Sequence, residues 1–202
     1  MIIAVSGLKG GIGKTTTALA LAEAAARDGK RARVLDADPQ ASASLWAMAA
    51  QDAGDELAYS VESANLATVR ALAKRFAGDA DEWVFVDCPP NGKVVDEAVG
   101  AADMVVVPTT TSPADMVKTF EAVDTLEAAG KYHAVLLTRT LANTVALRET
   151  REELRERDAS WFDAEIPQRE VLKGFFGNAF GEELYGYDKV YEEIKEGLED
   201  GD

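Results

Sequence analysis

Apolar and polar residues fall along this chain in short alternating blocks. Near-continuous apolar runs stand at "IIAVSG" (2–7), "RARVLDAD" (31–38), "EWVFVDCPP" (82–90), "DMVVVPTT" (103–110) and "HAVLLTRT" (133–140). Runs with little polar alternation are what strands covered on both faces of a parallel sheet require. Weaker strands are predicted at "AYSVES" (58–63) and "WFDAEIPQ" (161–168). Helical patterns lie between and after them, at 14–29, 65–79, 115–130, 144–158 and 187–200. Gly29, Gly78 and Gly130 follow or close the first three, where a left-handed residue ends a helix at little cost. Alternation of strand and helix predicts an α/β fold: a mostly parallel, twisted sheet with helices on both faces.

Composition refines this picture without changing it. The chain has 202 residues, 47% of them apolar and 28% charged, which predicts one domain over 1–202 with a sizeable core. No apolar run approaches the roughly 18 residues of a membrane span. The start runs directly into a glycine loop, with no basic leader or cleavage site. Cys88 has no second cysteine to pair with, and a cytoplasmic location follows from these features. The net charge of −15 argues against a surface coated all over by nucleic acid. The acidic end, about 196–202, is expected to fray and to offer no basic membrane-surface helix.

The chemistry is concentrated in "GLKGGIGKT" (7–15), between the first strand and the first helix. Gly13, Lys14 and Thr15 supply the last three positions of the phosphate-loop pattern, but Leu8 stands where its first glycine belongs. Gly10, Gly11 and Gly13 let successive N–H groups turn inward on an anion, and the following helix adds its positive end. Lys14 can reach β- and γ-phosphates, and the Thr15 hydroxyl can ligate Mg²⁺. The fold expected is therefore that of a P-loop NTPase. The next strand ends in "DADPQ" (36–40), which sets two carboxylates, Asp36 and Asp38, at its carboxyl end. "WVFVDCPP" (83–90) brings Asp87 to the carboxyl edge of the sheet as a Mg²⁺ ligand.

The extra lysine of the loop, Lys9, carries a resemblance. Lys-Gly-Gly-x-Gly-Lys-Thr, with the Asp-x-Asp-Pro-Gln that follows, resembles the deviant Walker A ATPases, the ParA/MinD group, over residues 1 to about 185. The stretches 138–144 and 166–180 look like the short partition ATPases that lack an N-terminal DNA-binding extension. The resemblance implies an ATPase using ATP and Mg²⁺, with Lys9, Gly10, Gly11, Ile12, Gly13, Lys14, Thr15 and Thr16 around the phosphates. It implies that Lys9 crosses to the nucleotide of a second subunit, making an ATP-dependent homodimer. Lys9, Lys14 and Asp38 would be catalytic, and Thr138, Arg139, Pro167 and Gln168 would face the adenine. A ParB-like partner would stimulate slow hydrolysis, and nonspecific DNA would be bound during plasmid or chromosome partition. Arg148, Arg151 and Arg155, at helical spacing, and Arg169 and Lys173 beyond them are the candidates for DNA phosphates. Pairing of Arg148 with Glu152 and of Glu153 with Arg157 would instead make that helix an ion-paired solvated face. The same motor would serve a cargo other than DNA, and small-molecule ligases of the dethiobiotin-synthetase type share the fold.

Overall fold

A computed structural model describes residues 1–75 and 81–199. Seven strands form one sheet: β1 (Ile2–Val5), β2 (Arg31–Asp36), β3 (Ser60–Ser63), β4 (Glu82–Asp87), β5 (Met104–Thr109), β6 (His133–Thr140) and β7 (Ile166–Pro167). Their spatial order is β3-β2-β4-β1-β5-β6-β7, and every pairing is parallel. The chain runs from β1 outward to β2 and β3, returns to β4, then crosses β1 to reach β5. The two directions of winding separate beside β1, the place where open α/β sheets bind ligands at their carboxyl ends.

The strand residues alternate between two cores, as the pleat demands. Ile3, Val5, Val34, Phe85, Val106 and Leu136 face a core closed by α1 (Lys14–Arg27), α2 (Ser42–Asp52) and α9 (Tyr187–Glu199). Ile2, Ala4, Leu35, Val84, Val86 and Val105 face the other, closed by α3 (Leu66–Arg70), α4 (Leu72–Arg75), α5 (Lys93–Ala101) and α6 (Pro113–Ala128). Beyond β6, α7 (Val145–Glu156) packs Leu147 and Leu154 with Val135, Leu137 and Met116. Helices thus cover both faces, as the sequence predicts. No helix among the described residues is long and apolar enough to cross a membrane.

The structure corrects several element boundaries. The helix predicted at 65–79 starts under an Asn65 cap, whose side chain accepts from the Ala67 and Thr68 amides, and is interrupted at Ala71. Its remainder, with Gly78, lies outside the described residues. The tail expected to fray from 196 stays helical through Glu199, because Val190, Tyr191 and Ile194 anchor α9 in the core. Residues 200–202 lie outside the described residues. Three helices carry no clear signal in sequence: α2, α5 and α8 (Glu170–Gly174). Helices α2 and α5 lack a capping side chain at their N-termini, where Ala41 (φ 53°) and Gly92 (φ 115°) take left-handed or open conformations instead.

Phe85 sits at the centre of the sheet with no exposed surface. Phe85→Ala is expected to lower unfolding free energy by about 3–5 kcal/mol, measured by urea denaturation with an unchanged slope.

Candidate nucleotide site

The glycine loop is shaped by close approach as well as by backbone freedom. Gly11 (φ 77°) and Gly13 (φ 99°) adopt conformations that other residues rarely take, and Gly13 opens α1. A glycine does stand near the loop's expected first position, one residue early at Gly7. A Cβ there would meet Ile12 Cδ1 at 2.6 Å, so Gly7 is what lets Ile12 fold back, buried, beneath the loop. From β6, the buried Thr138 hydroxyl donates at 3.0 Å to the Ile12 or Thr109 carbonyl. Its hydroxyl therefore ties β6 to the phosphate loop or to the end of β5.

Lys14 is buried and donates from Nζ to the Lys9 carbonyl at 2.8 Å. Burial lowers its pKa, while Asp87 and Asp38 favour its charge. Thr15 Oγ1 donates to Asp87 Oδ2 at 2.7 Å. The other Asp87 oxygen, Oδ1, is buried with no hydrogen-bond partner. Burial pushes the Asp87 pKa up to about 7, against the Thr15 hydrogen bond, with Asp36 pushing the same way. An unpartnered carboxylate oxygen beside a hydroxyl is a half-built oxygen shell, and it fits a hard divalent cation such as Mg²⁺.

The two carboxylates of 36–40 differ in how they are bonded. Asp36 Oδ2 accepts from the Ser44 amide (2.8 Å) and hydroxyl (2.7 Å), pinning the first turn of α2. Asp38 is half-buried, and among the described residues its Oδ1 accepts from the Gln40 amide alone, at 2.9 Å.

Lys9, the residue expected to reach a second subunit, is held by its own chain. Its ammonium donates to Asp115 Oδ1, while Thr110 donates to Asp115 Oδ2. Burial raises the Asp115 pKa, but these two bonds outweigh it and hold the carboxyl below its ordinary value. Asp115 was invisible to motif reading. Its signal lay in "SPAD" (112–115), where Ser112 precedes Pro113 at the first helical position and Asp115 falls in the acidic first turn of α6.

A cavity of about 540 Å³ opens from the loop at Gly13 and Thr16 toward Arg139, Pro167, Gln168 and Phe176. All four residues expected around the adenine line it, Thr138 included. A larger cavity of about 1040 Å³ lies between α1 and α9, lined by Asp28, Glu165, Glu182, Glu183, Asp188 and Glu192 among others. That many carboxylates repel a polyphosphate, which makes the smaller space the candidate site for a nucleotide.

The arginines expected to contact DNA do not form one free stripe. Arg151 pairs with Glu165 at 2.7 Å. Arg148 and Arg155 are exposed and make no ion pair among the described residues. The pairing proposed between Glu153 and Arg157 is replaced: Arg157 reaches Asp124 at 3.4 Å and lies over the Phe120 ring at 4.2 Å. Arg169 lies at the junction of the two cavities, and the Lys173 side chain lies outside the described residues.

Because Asp87 is raised in the fold, its ionisation opposes folding. The opposition is absent below its unfolded pKa near 4 and complete above about 7, where it amounts to roughly 4 kcal/mol at about 1.4 kcal/mol per pKa unit. Asp87→Asn should therefore raise the melting temperature of metal-free protein, by more at pH 8 than at pH 5, in scanning calorimetry. An unchanged or lowered melting temperature at pH 8 would contradict this.

Known proteins resemble this chain in sequence and in fold. The family model described as the CobQ/CobB/MinD/ParA nucleotide-binding domain matches residues 3–174. Maintenance of carboxysome distribution protein A of Gloeobacter kilaueensis is 38% identical over 173 residues, 82% of this chain and 76% of that protein. The chromosome-partitioning ATPase Soj of Thermus thermophilus is 33% identical over 132 residues, 52% of this chain and 53% of its own length. The septum site-determining protein MinD of Pyrococcus horikoshii, solved with Mg-ADP, superposes with a TM-score of 0.74 at 20% identity, covering 96% of this chain and 95% of that one. McdA of Cyanothece superposes with a TM-score of 0.72 at 19% identity, covering 96% and 98%. The match over most of its length shows that the chain belongs to the CobQ/CobB/MinD/ParA nucleotide-binding family, as an ATPase of its ParA/MinD group.

Proposed function

We propose that this chain is a Mg²⁺-dependent ATPase that dimerises on ATP and distributes a cargo other than a replicon. One observation carries the choice of cargo. The likeness to a protein named for carboxysome distribution runs through 82% of this chain at 38% identity, whereas the likeness to Soj covers about half of each chain. Hydrolysis of ATP by water to ADP and phosphate is slow on its own and is stimulated by a partner protein.

The chain's own groups divide the work. Loop amides from Gly10 to Thr15 and the Lys14 ammonium hold the phosphates. Lys14 swaps the Lys9 carbonyl for a phosphate oxygen, a stronger, charge-assisted bond. Thr15 and Asp87 would hold Mg²⁺, which supplies charge neutralisation on the phosphates. Asp38 has one oxygen uncommitted and orients the attacking water. Lys9 must leave Asp115 to reach a second subunit, so dimerisation exchanges an internal ion pair for a shared one.

Nonspecific DNA is the second reading for a surface on which the ATP dimer rides, and it finds weaker support. Arg148 and Arg155 are free to meet phosphates, but α7 carries three arginines against four glutamates. Its net charge disfavours a DNA-coating role and leaves contacts that would be few and salt-sensitive.

Lys14→Ala is expected to abolish ATP binding in calorimetry. Asp38→Ala should bind ATP and dimerise yet hydrolyse poorly, and Lys9→Ala should show no ATP-induced dimer by light scattering. Normal hydrolysis by the Asp38 variant would remove that residue from the mechanism. The cargo itself is tested by deleting the gene in its source cell. Clustered protein bodies with unchanged plasmid and chromosome inheritance are expected, whereas replicon loss would return the protein to partition.

A further inference from the structure

Two consecutive phenylalanines after α8 turn in opposite directions. Phe175 packs against the core, its ring 5.3 Å from Phe180 and 6.1 Å from Tyr185. Phe176 is 55% exposed and lines the cavity that opens from the phosphate loop. An aromatic ring left in water at the rim of a concave site, rather than scattered on a convex surface, calls for something to cover it.

The ring is also held in place. Trp46 lies behind it, 5.7 Å away at a tilt of 54°. Trp46 is buried, stacks on Phe180 at 5.6 Å, and donates from Nε1 to the Asn178 carbonyl at 2.8 Å. Gly177, at φ 80°, brings the loop so close to α2 that a Cβ would sit 3.0 Å from Ala49 Cβ. Helix α2 and the 175–180 segment therefore form one aromatic wall, with Phe176 as its outward face. Across the same space lie Arg139, Pro167 and Gln168, and the phosphate loop enters at Gly13 and Thr16. A nucleotide anchored by its phosphates can send its base only between these walls.

We infer that Phe176 stacks on the nucleotide base and, backed by Trp46, supplies base affinity that the polar residues of the site do not. A rigid aromatic face suits a flat base and loses little conformational freedom on binding. This rests on the nucleotide reading of the preceding section and adds to it a residue that binds the base.

Calorimetry with Mg-ATP and with Mg-tripolyphosphate separates base from phosphate. Phe176→Ala is expected to weaken Mg-ATP about tenfold or more, the scale of one lost base stack. Phe176→Tyr should bind within about twofold of the parent, since the stacking face remains. Mg-tripolyphosphate, which has no base, should bind all three proteins alike. Parent-like Mg-ATP affinity in Phe176→Ala overturns the assignment. So does an equal loss for both ligands, which would mean a damaged fold. A parent protein that takes neither ligand would sink the nucleotide reading itself, a result distinct from either of these.

Discussion

The hydrogen-bond ladder between β4 and its two neighbours sets where each charged group of the site stands. In parallel register Val5 lies opposite Asp87, and Asp36 lies opposite Asp87 on the other side. The last residues of three strands are thereby aligned at one edge, and the loops that follow them must meet. The amide of Ala37 donates to the Asp87 carbonyl and that of Cys88 to the Val5 carbonyl, each at about 3 Å, so the alignment continues past the strand ends. A shift of one residue in β4 would turn Asp87 into the apolar layer on the opposite face. The thoroughly apolar runs of β1, β4 and β5 fix that register, since each of their residues is buried.

Burial and charge oppose each other at this edge. Asp87, Lys14 and Asp36 are nearly shielded from water. Lys14 has one acceptor, the Lys9 carbonyl, whereas Asp36 has a complete set of partners, its Oδ1 accepting from the Asp38 amide and its Oδ2 from Ser44. Asp87 has only half of one. An unsatisfied buried carboxylate is unfavourable to folding and is retained where a ligand completes it.

Much of this was legible in the sequence. Lys14, Thr15, Asp38 and Asp87 could be placed because each sits at the end of a strand or the start of a helix that periodicity reveals. The adenine-side residues 138, 139, 167 and 168 converge on one cavity because β6 and β7 are neighbours. Other features were not legible, for physical reasons. Asp115 contacts Lys9 across 106 residues, a distance no local pattern reports. Helix α2 is held by Asp36 from the preceding strand rather than by its own cap. The acidic tail looked unstable by composition, yet Tyr187 and Tyr191, with almost no exposed surface, hold its helix in the core. The expected i,i+4 pair of Glu153 with Arg157 lost to a tertiary partner, Asp124, and an aromatic face.

The bond from Lys14 to the Lys9 carbonyl has a consequence for how fast and how selectively the loop is filled. With its ammonium standing where an anion belongs, the loop keeps its curvature before any ligand arrives. Capture then replaces one contact by others instead of ordering a slack segment, so little entropy is lost on encounter. A preorganised cradle of this kind penalises anions too small to span it, because they cannot draw the lysine from its carbonyl and reach the helix end at once. A single hydrogen bond within a loop of nine residues, 7–15, thus favours ligands long enough to reach both the lysine and the helix end.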